Sequence, residues 1–296
     1  MIRPGPTATA ALWMLGTISS FSLMAVAGRE IGADHDTFEI MFYRSLVGLA
    51  LIFAIATATG QLAQARTDRL GAHLVRNLFH FAGQNLWFLA ITLIPLAQVF
   101  AIEFTAPIWA MLLTPLILRE RLTAINLLAG VIGFAGILIV TQPSAATLDL
   151  GTIAAAGAAI FFAITALLTR RLTRSQSLLT ILFYLTGLQA IFGLICAGAD
   201  GAMALPDART TPWLILIGLA GLCAHTCLTK ALTLAPATIV MPIDFARLPV
   251  IAIVGWALYD ERLELAVLVG GLIIIAANVI NLRASAPSGP RNIAKT

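Results

Sequence analysis

The chain has 296 residues, 59% of them apolar and only 11% charged, with a mean hydropathy of +0.95, whereas a soluble domain carries about a quarter charged residues. That balance excludes water as the solvent for most of the surface. The net charge of +4, from 18 Lys and Arg against 14 Asp and Glu, does not point to nucleic acid, because no basic stretch interleaved with aromatics is present. In lipid every backbone polar group must be satisfied internally, and long apolar runs select helices over a barrel.

A helix needs about 20 residues to cross the hydrocarbon core. By that measure ten spans are predicted, at 8–28, 38–59, 72–93, 96–118, 123–141, 150–169, 177–198, 212–233, 237–258 and 264–282. The first run ends on Ala25-Val26-Ala27, which resembles a signal-peptidase site. It is longer than a signal core and has a counterpart in the second half of the chain, so it is read as a span. The second span carries Glu39, Tyr43 one turn later, and Arg44. In the third, Asn77, His80, Gln84 and Trp87 recur at three and four residues and share one helix face, which suits either a wet substrate cavity or a helix–helix hydrogen-bond seam.

Glu103 lies about seven residues into the fourth span, followed by Pro107. Proline has no N–H for the carbonyl four residues back, so a kink is predicted beside the carboxylate. Two roles compete for Glu103, proton carrier and fixed counterion of Arg44. The second is preferred, because Arg44 has no obvious partner on its own helix. Gly130, Gly133 and Gly136 in the fifth span predict close helix packing. His225 lies in the eighth span, and Asp244 and Arg247, three apart and bracketed by Pro242 and Pro249, in the ninth. The last two either neutralise one another, or Arg247 exchanges Asp244 for a substrate carboxylate. Ionisable groups at bilayer depth are functional candidates because insertion costs about 2.5–3.5 kcal/mol each. Cys196, Cys223 and Cys227 all sit in apolar segments and read as small core hydrophobes.

The two halves are related. A shift of 141 residues, without gaps, superposes Ala90, Thr92, Leu93 and Pro95 on Ala231, Thr233, Leu234 and Pro236. The same shift places Phe104 on Phe245, Glu120-Arg121-Leu122 on Glu261-Arg262-Leu263, Gln84 on His225 and Glu103 on Asp244. Over positions 90 to 139 there are 15 identities in 50. The chain is therefore read as an internal duplication, with repeats at 8–141 and 150–283 and a tail at 284–296. Five spans per unit is an odd number, so the second unit must be inverted. Inverted repeats characterise secondary transporters whose site lies at the repeat interface near the midplane.

Orientation follows from the flanking cations. With the amino terminus inside, thirteen Lys and Arg, Arg76 among them, fall on the cytoplasmic side and only Arg29, Arg209 and Arg262 on the other. An inner-membrane protein with both termini cytoplasmic is expected, in contact with the bilayer, with a small-molecule substrate and with protons if Glu103 carries them.

The pairs Pro95, Pro107, Glu120 to Leu122 and Pro236, Pro249, Glu261 to Leu263 resemble the EamA-type members of the drug/metabolite transporter superfamily, over about residues 8 to 283. In the second copy the proline matching Pro107 is shifted by one residue, to Pro249. The resemblance implies an all-α fold of ten membrane helices in two inverted five-helix repeats. It implies alternating-access transport, with amino-acid export the best-known activity and import of a vitamin- or nucleotide-like metabolite the alternative. The substrate site is expected at Tyr43, Arg44, Asn77, His80, Gln84, Trp87, Glu103, His225, Asp244 and Arg247. An intramembrane enzyme would bury the same residue types, but the chain contains neither His-Glu-x-x-His nor Gly-x-Ser-x-Gly. No catalytic residue, metal or cofactor is expected.

Overall fold

A computed structural model describes residues 6–119, 122–142, 149–199, 201–234, 240 and 243–284. Glu120, Arg121, Pro236 and Pro242 lie outside the described residues. The helices are α1 (Pro6–Ile31), α2 (Thr37–Ala58), α3 (Leu70–Leu93), α4 (Leu96–Glu103), α5 (Ala106–Ile117), α6 (Ala124–Thr141), α7 (Leu150–Leu172), α8 (Leu178–Ala197), α9 (Thr211–Leu234), α10 (Arg247–Tyr259) and α11 (Leu265–Ala284). Their order reproduces the ten expected spans. The fourth is made by α4 and α5 together, and α10 is the described part of the ninth.

Seven stretches among the described residues are long and apolar enough to cross a membrane, counting α4 and α5 as one, and α10 and α11 are shorter apolar helices. Helix α3 has the length without the hydropathy. Its polar side chains are turned inward, with His73, Arg76, Asn77, His80, Gln84 and Asn85 all buried. Outward-facing residues are apolar instead: Leu116, Val131 and Trp256 expose 79%, 68% and 60% of their surface. A polar interior inside an apolar exterior is the arrangement lipid demands.

The helix ends follow local chemistry. Asp36 and Glu39 form a reciprocal capping box on α2, with Glu39 N–H donating to Asp36 Oδ1 at 2.8 Å and Asp36 N–H to Glu39 Oε2 at 3.1 Å. Asp149 caps α7 by accepting from Thr152 N at 2.7 Å, and Ser177 caps α8 by accepting from Thr180 N at 3.2 Å. Ahead of α9, Asp207 accepts from the backbone N–H groups of Thr210 at 2.7 Å and Arg209 at 2.9 Å. Those bonds, Thr210's first, hold its carboxyl below the usual carboxylate range.

Between α4 and α5 the helix is interrupted at Phe104 and Thr105. Pro107 cannot donate to the Glu103 carbonyl, and the Phe104 carbonyl is taken up by Asn278 Nδ2 of α11 at 2.7 Å. The second half repeats this break at Phe245 and Ala246, just before α10. At the far ends of the broken helices, Arg119 (φ 59°) and Asp260 (φ 52°) occupy the same left-handed conformation, one in each copy.

The largest packing pairs are α1 with α9, α3 with α7, α2 with α8 and α6 with α11, and α4 also lies on α10. Each pair joins one half to the other. Exchanging the halves turns α1–α9 into α7–α3 and maps the other three pairs onto themselves, as two inverted copies wrapped around a pseudo-twofold axis require. The α6–α11 crossing is the tightest in backbone terms: a Cβ on Gly136 would stand 2.9 Å from the Gly270 carbonyl oxygen, and one on Gly270 2.7 Å from that of Gly136.

Candidate functional site

The two helix breaks meet at the centre of the molecule. Phe104 and Phe245, equivalent in the repeat, stack edge to face with centroids 5.2 Å apart, and the equivalent carboxylates Glu103 and Asp244 flank them. Arg247 answers both carboxylates, its Nη2 donating to Glu103 Oε1 at 3.2 Å and to Asp244 Oδ2 at 3.1 Å. The repeat equivalent of Arg247 is Ala106, so the symmetric frame holds an asymmetric charge set. Rings of Phe21, Phe100 and Phe104 surround the guanidinium at 4.8, 5.0 and 5.1 Å, within reach of cation–π attraction. Trp87 Nε1 donates to Glu103 Oε2 at 2.8 Å. One oxygen of Asp244, Oδ1, is buried with no hydrogen-bond partner among the described residues.

Glu103 was expected to be the counterion of Arg44, and the structure corrects this. Residue spacing shows which groups share a helix but not which helices meet, and it is α10, carrying Arg247, that packs against α4. Arg44 instead lies across from α3. Its Nη1 donates a very short hydrogen bond to Gln84 Oε1 and contacts Met41 Sδ at 3.7 Å, and its guanidinium lies 5.8 Å from the Phe88 ring centroid. Among the described residues it has no carboxylate partner.

His80 and His225 complete this second group. Their ring centroids are 6.5 Å apart, Phe162 stands 6.1 Å from His80, and Phe21 stands 5.7 Å from His225. Both ring nitrogens of His80 are buried without a hydrogen-bond partner among the described residues. Phe21 touches both groups, since it also lies over Arg247. Gln84, which binds Arg44, and Trp87, which binds Glu103, are one turn apart on α3, so the groups are separated by about 5 Å along that helix.

A cleft between α2, α8 and α9, bounded by Arg44, Gly48, Thr186, Gln189, Gly221 and His225, encloses about 350 Å³ of empty space, part of it open to the outside. Only about 20 Å³ of this admits the centre of a water molecule, room for about one water. The cleft is therefore closed to anything larger.

Eight of the ten expected site residues converge here: Arg44, His80, Gln84, Trp87, Glu103, His225, Asp244 and Arg247. The other two point elsewhere. Asn77 Nδ2 donates to the carbonyls of His73 at 2.8 Å and Tyr184 at 3.3 Å, in the seam between α3 and α8. Tyr43 donates to the Ala204 carbonyl at 2.8 Å, pinning the α8–α9 connection. Arg76, counted from the sequence among the cytoplasmic cations, is a buried residue of α3, donating to Thr169 Oγ1 at 3.0 Å and Asn77 Oδ1 at 2.8 Å. Sequence reasoning missed Phe21 and Gln189. Phe21 carried no signal beyond being aromatic. Gln189, a buried amide in an apolar run whose Oε1 is unpartnered, could have been found by the cost of a lone polar side chain in the membrane.

The apolar exterior, the interleaved inverted repeats and the charged centre define a multi-pass membrane protein with a closed polar core. Residues 8–142 and 149–283 match the EamA-like transporter family; the chain belongs to that family and is a small-molecule transporter. It is 30% identical over 256 residues to a riboflavin transporter of Vibrio cholerae, covering 84% of each chain. It is 24% identical over 267 residues to an S-adenosylmethionine uptake transporter of Rickettsia bellii, covering 90% of this chain and 91% of that one. A crystal structure matches the fold with a TM-score of 0.64 over 94% of this chain and 99% of that one, at 17% identity.

Proposed function

We propose that the chain imports a flavin- or nucleoside-sized metabolite across the inner membrane by alternating access, with both termini in the cytoplasm and with repeats at 8–141 and 150–283 rocking about the central site. The observation that carries this reading is the similarity, over most of the chain, to a protein named as a riboflavin transporter and one named as an S-adenosylmethionine uptake transporter. It supports import of such a molecule better than the amino-acid export expected from the family resemblance. The core chemistry agrees. Trp87, Phe21 and Phe162 offer faces for a heteroaromatic ring, and His80, Gln84 and His225 offer the few polar groups that fix a ring's orientation. Glu103, Asp244 and Arg247 would form the floor of the site, and Arg44 its wall. Asn77 and Tyr43 would support it from behind.

Because the cleft beside Arg44 and His225 holds about one water, substrate entry there requires helices to separate, which is the motion alternating access supplies. Counterflow in proteoliposomes tests the reading. Exchange of riboflavin or S-adenosylmethionine, lost in the His80→Ala and Trp87→Ala variants, is the expected result. Exchange of amino acids alone would sink it.

A further inference from the structure

We propose that Arg44 is an anion receptor, and that the transported molecule carries a carboxylate or phosphate that seats on it; this rests on the central cluster being the transport site.

The three arginines of the core and its approach, of which Arg76 and Arg247 are buried and Arg44 is half-buried, have different partners. Arg247 faces two carboxylates, whereas Arg76 is held by a hydroxyl and an amide and lies nearer the end of α3. Among the described residues Arg44 is bonded to the Gln84 amide oxygen and the Met41 thioether alone. Removing a guanidinium from water without a counterion is costly, and buried charges are normally paired. The absence of a side chain at Gly221 lets α9 come up to the guanidinium, since a Cβ there would meet Arg44 Nη2 at 3.4 Å.

The surroundings also supply hydrogen-bond capacity that nothing among the described residues uses. His80 presents two buried ring nitrogens without a partner, and so does the Gln189 carbonyl oxygen beside the cleft. An entering carboxylate or phosphate would pair the guanidinium and accept from a His80 N–H, in the planar geometry that arginine offers to oxyanions. Its source is a solute and not a lipid headgroup. Arg44 lies seven residues into α2, about 10 Å along the helix axis from its start, below the depth of headgroups.

The Gln84→Glu variant provides the test, because it gives Arg44 an internal counterion at the atom it already contacts and fills the receptor without removing a cation. Uptake into phosphatidylcholine proteoliposomes is measured for two pairs, riboflavin against riboflavin 5′-phosphate and methylthioadenosine against S-adenosylmethionine. Wild type should favour the anion-bearing member of at least one pair by tenfold or more. Gln84→Glu and Arg44→Gln should bring the ratio of the two uptake rates within each pair to about one, whatever their absolute size. Equal uptake within both pairs by wild type, or an unchanged preference in Gln84→Glu, overturns the receptor and leaves the importer reading intact. Uptake of none of the four overturns the importer reading instead. The receptor is then judged by melting of the protein in nanodiscs with inorganic phosphate or acetate: a rise in wild type that Gln84→Glu lacks supports it, and matching curves overturn it.

Discussion

Among the described residues Arg247 is the one cation bonded to the two carboxylates equivalent in the repeat, and its removal would leave half-buried Glu103 and buried Asp244 unpaired. Breaking a buried ion pair from one side costs about 3–5 kcal/mol. Arg247→Ala should therefore melt well below wild type in detergent, whereas the triple variant Arg247→Ala, Glu103→Gln, Asp244→Asn should recover most of the loss. A triple variant no more stable than the single one would mean that Arg247 acts through packing against Phe21, Phe100 and Phe104. Glu103→Gln alone keeps an acceptor for Trp87 Nε1 and should fold. It also separates fixed charge from proton carrier, since pH-dependent flux undiminished in this variant removes Glu103 as the carrier.

Among the elements, the broken helices and the glycine crossing show what the chain encodes locally. Asp260, at the end of α10 in the left-handed region at φ 52°, sits where glycine incurs no steric penalty. Asp260→Gly should raise stability by up to about 1 kcal/mol, read as a higher melting temperature; a lower one would mean that the aspartate side chain has a partner worth more than the strain. At the α6–α11 crossing the sign reverses. Gly270→Ala places a methyl 2.7 Å from the Gly136 carbonyl oxygen, so the backbones must part, and a melting temperature matching wild type would show that the crossing is looser than its geometry.

Much of this level was legible in the sequence. The spans follow from apolar run length, and the break beside Glu103 from Pro107 alone. The 141-residue repeat announced that the second break and second carboxylate would match the first. The partner of Arg44 was not legible, because spacing orders side chains around one helix and is silent on which neighbour faces them. Charge counting is blind in the same way: it set Arg76 among the cytoplasmic cations although the residue lies inside the third predicted span, where its position three residues from His73 and four from His80 fits the polar face of α3.

For the whole molecule, alternating access requires that ties at one end break while those at the other hold. At the end where α1 finishes, Glu261 forms an ion pair with Arg29 and accepts from Leu96 N–H at 2.9 and 3.1 Å, while Arg29 also donates to the Ile94 carbonyl at 2.7 Å. One carboxylate thus holds α1, the α3–α4 turn and the α10–α11 connection together. The opposite end is closed by Thr67 donating to Gln176 Oε1 at 2.9 Å and Thr180 donating to the Gln64 carbonyl at 2.6 Å. Glu261→Ala removes only the first set, so it should shift the population toward opening at that end. In a background lacking Cys196, Cys223 and Cys227, a cysteine at Ala97, buried in the first turn of α4, should react faster with a membrane-impermeant maleimide once Glu261 is lost. One at Leu172, buried at the other end, should not. With the amino terminus inside, the reagent must reach position 97 from outside intact cells. Acceleration at both positions would mean that Glu261→Ala loosens the fold as a whole, and labelling of position 97 only in inverted vesicles would reverse the proposed orientation.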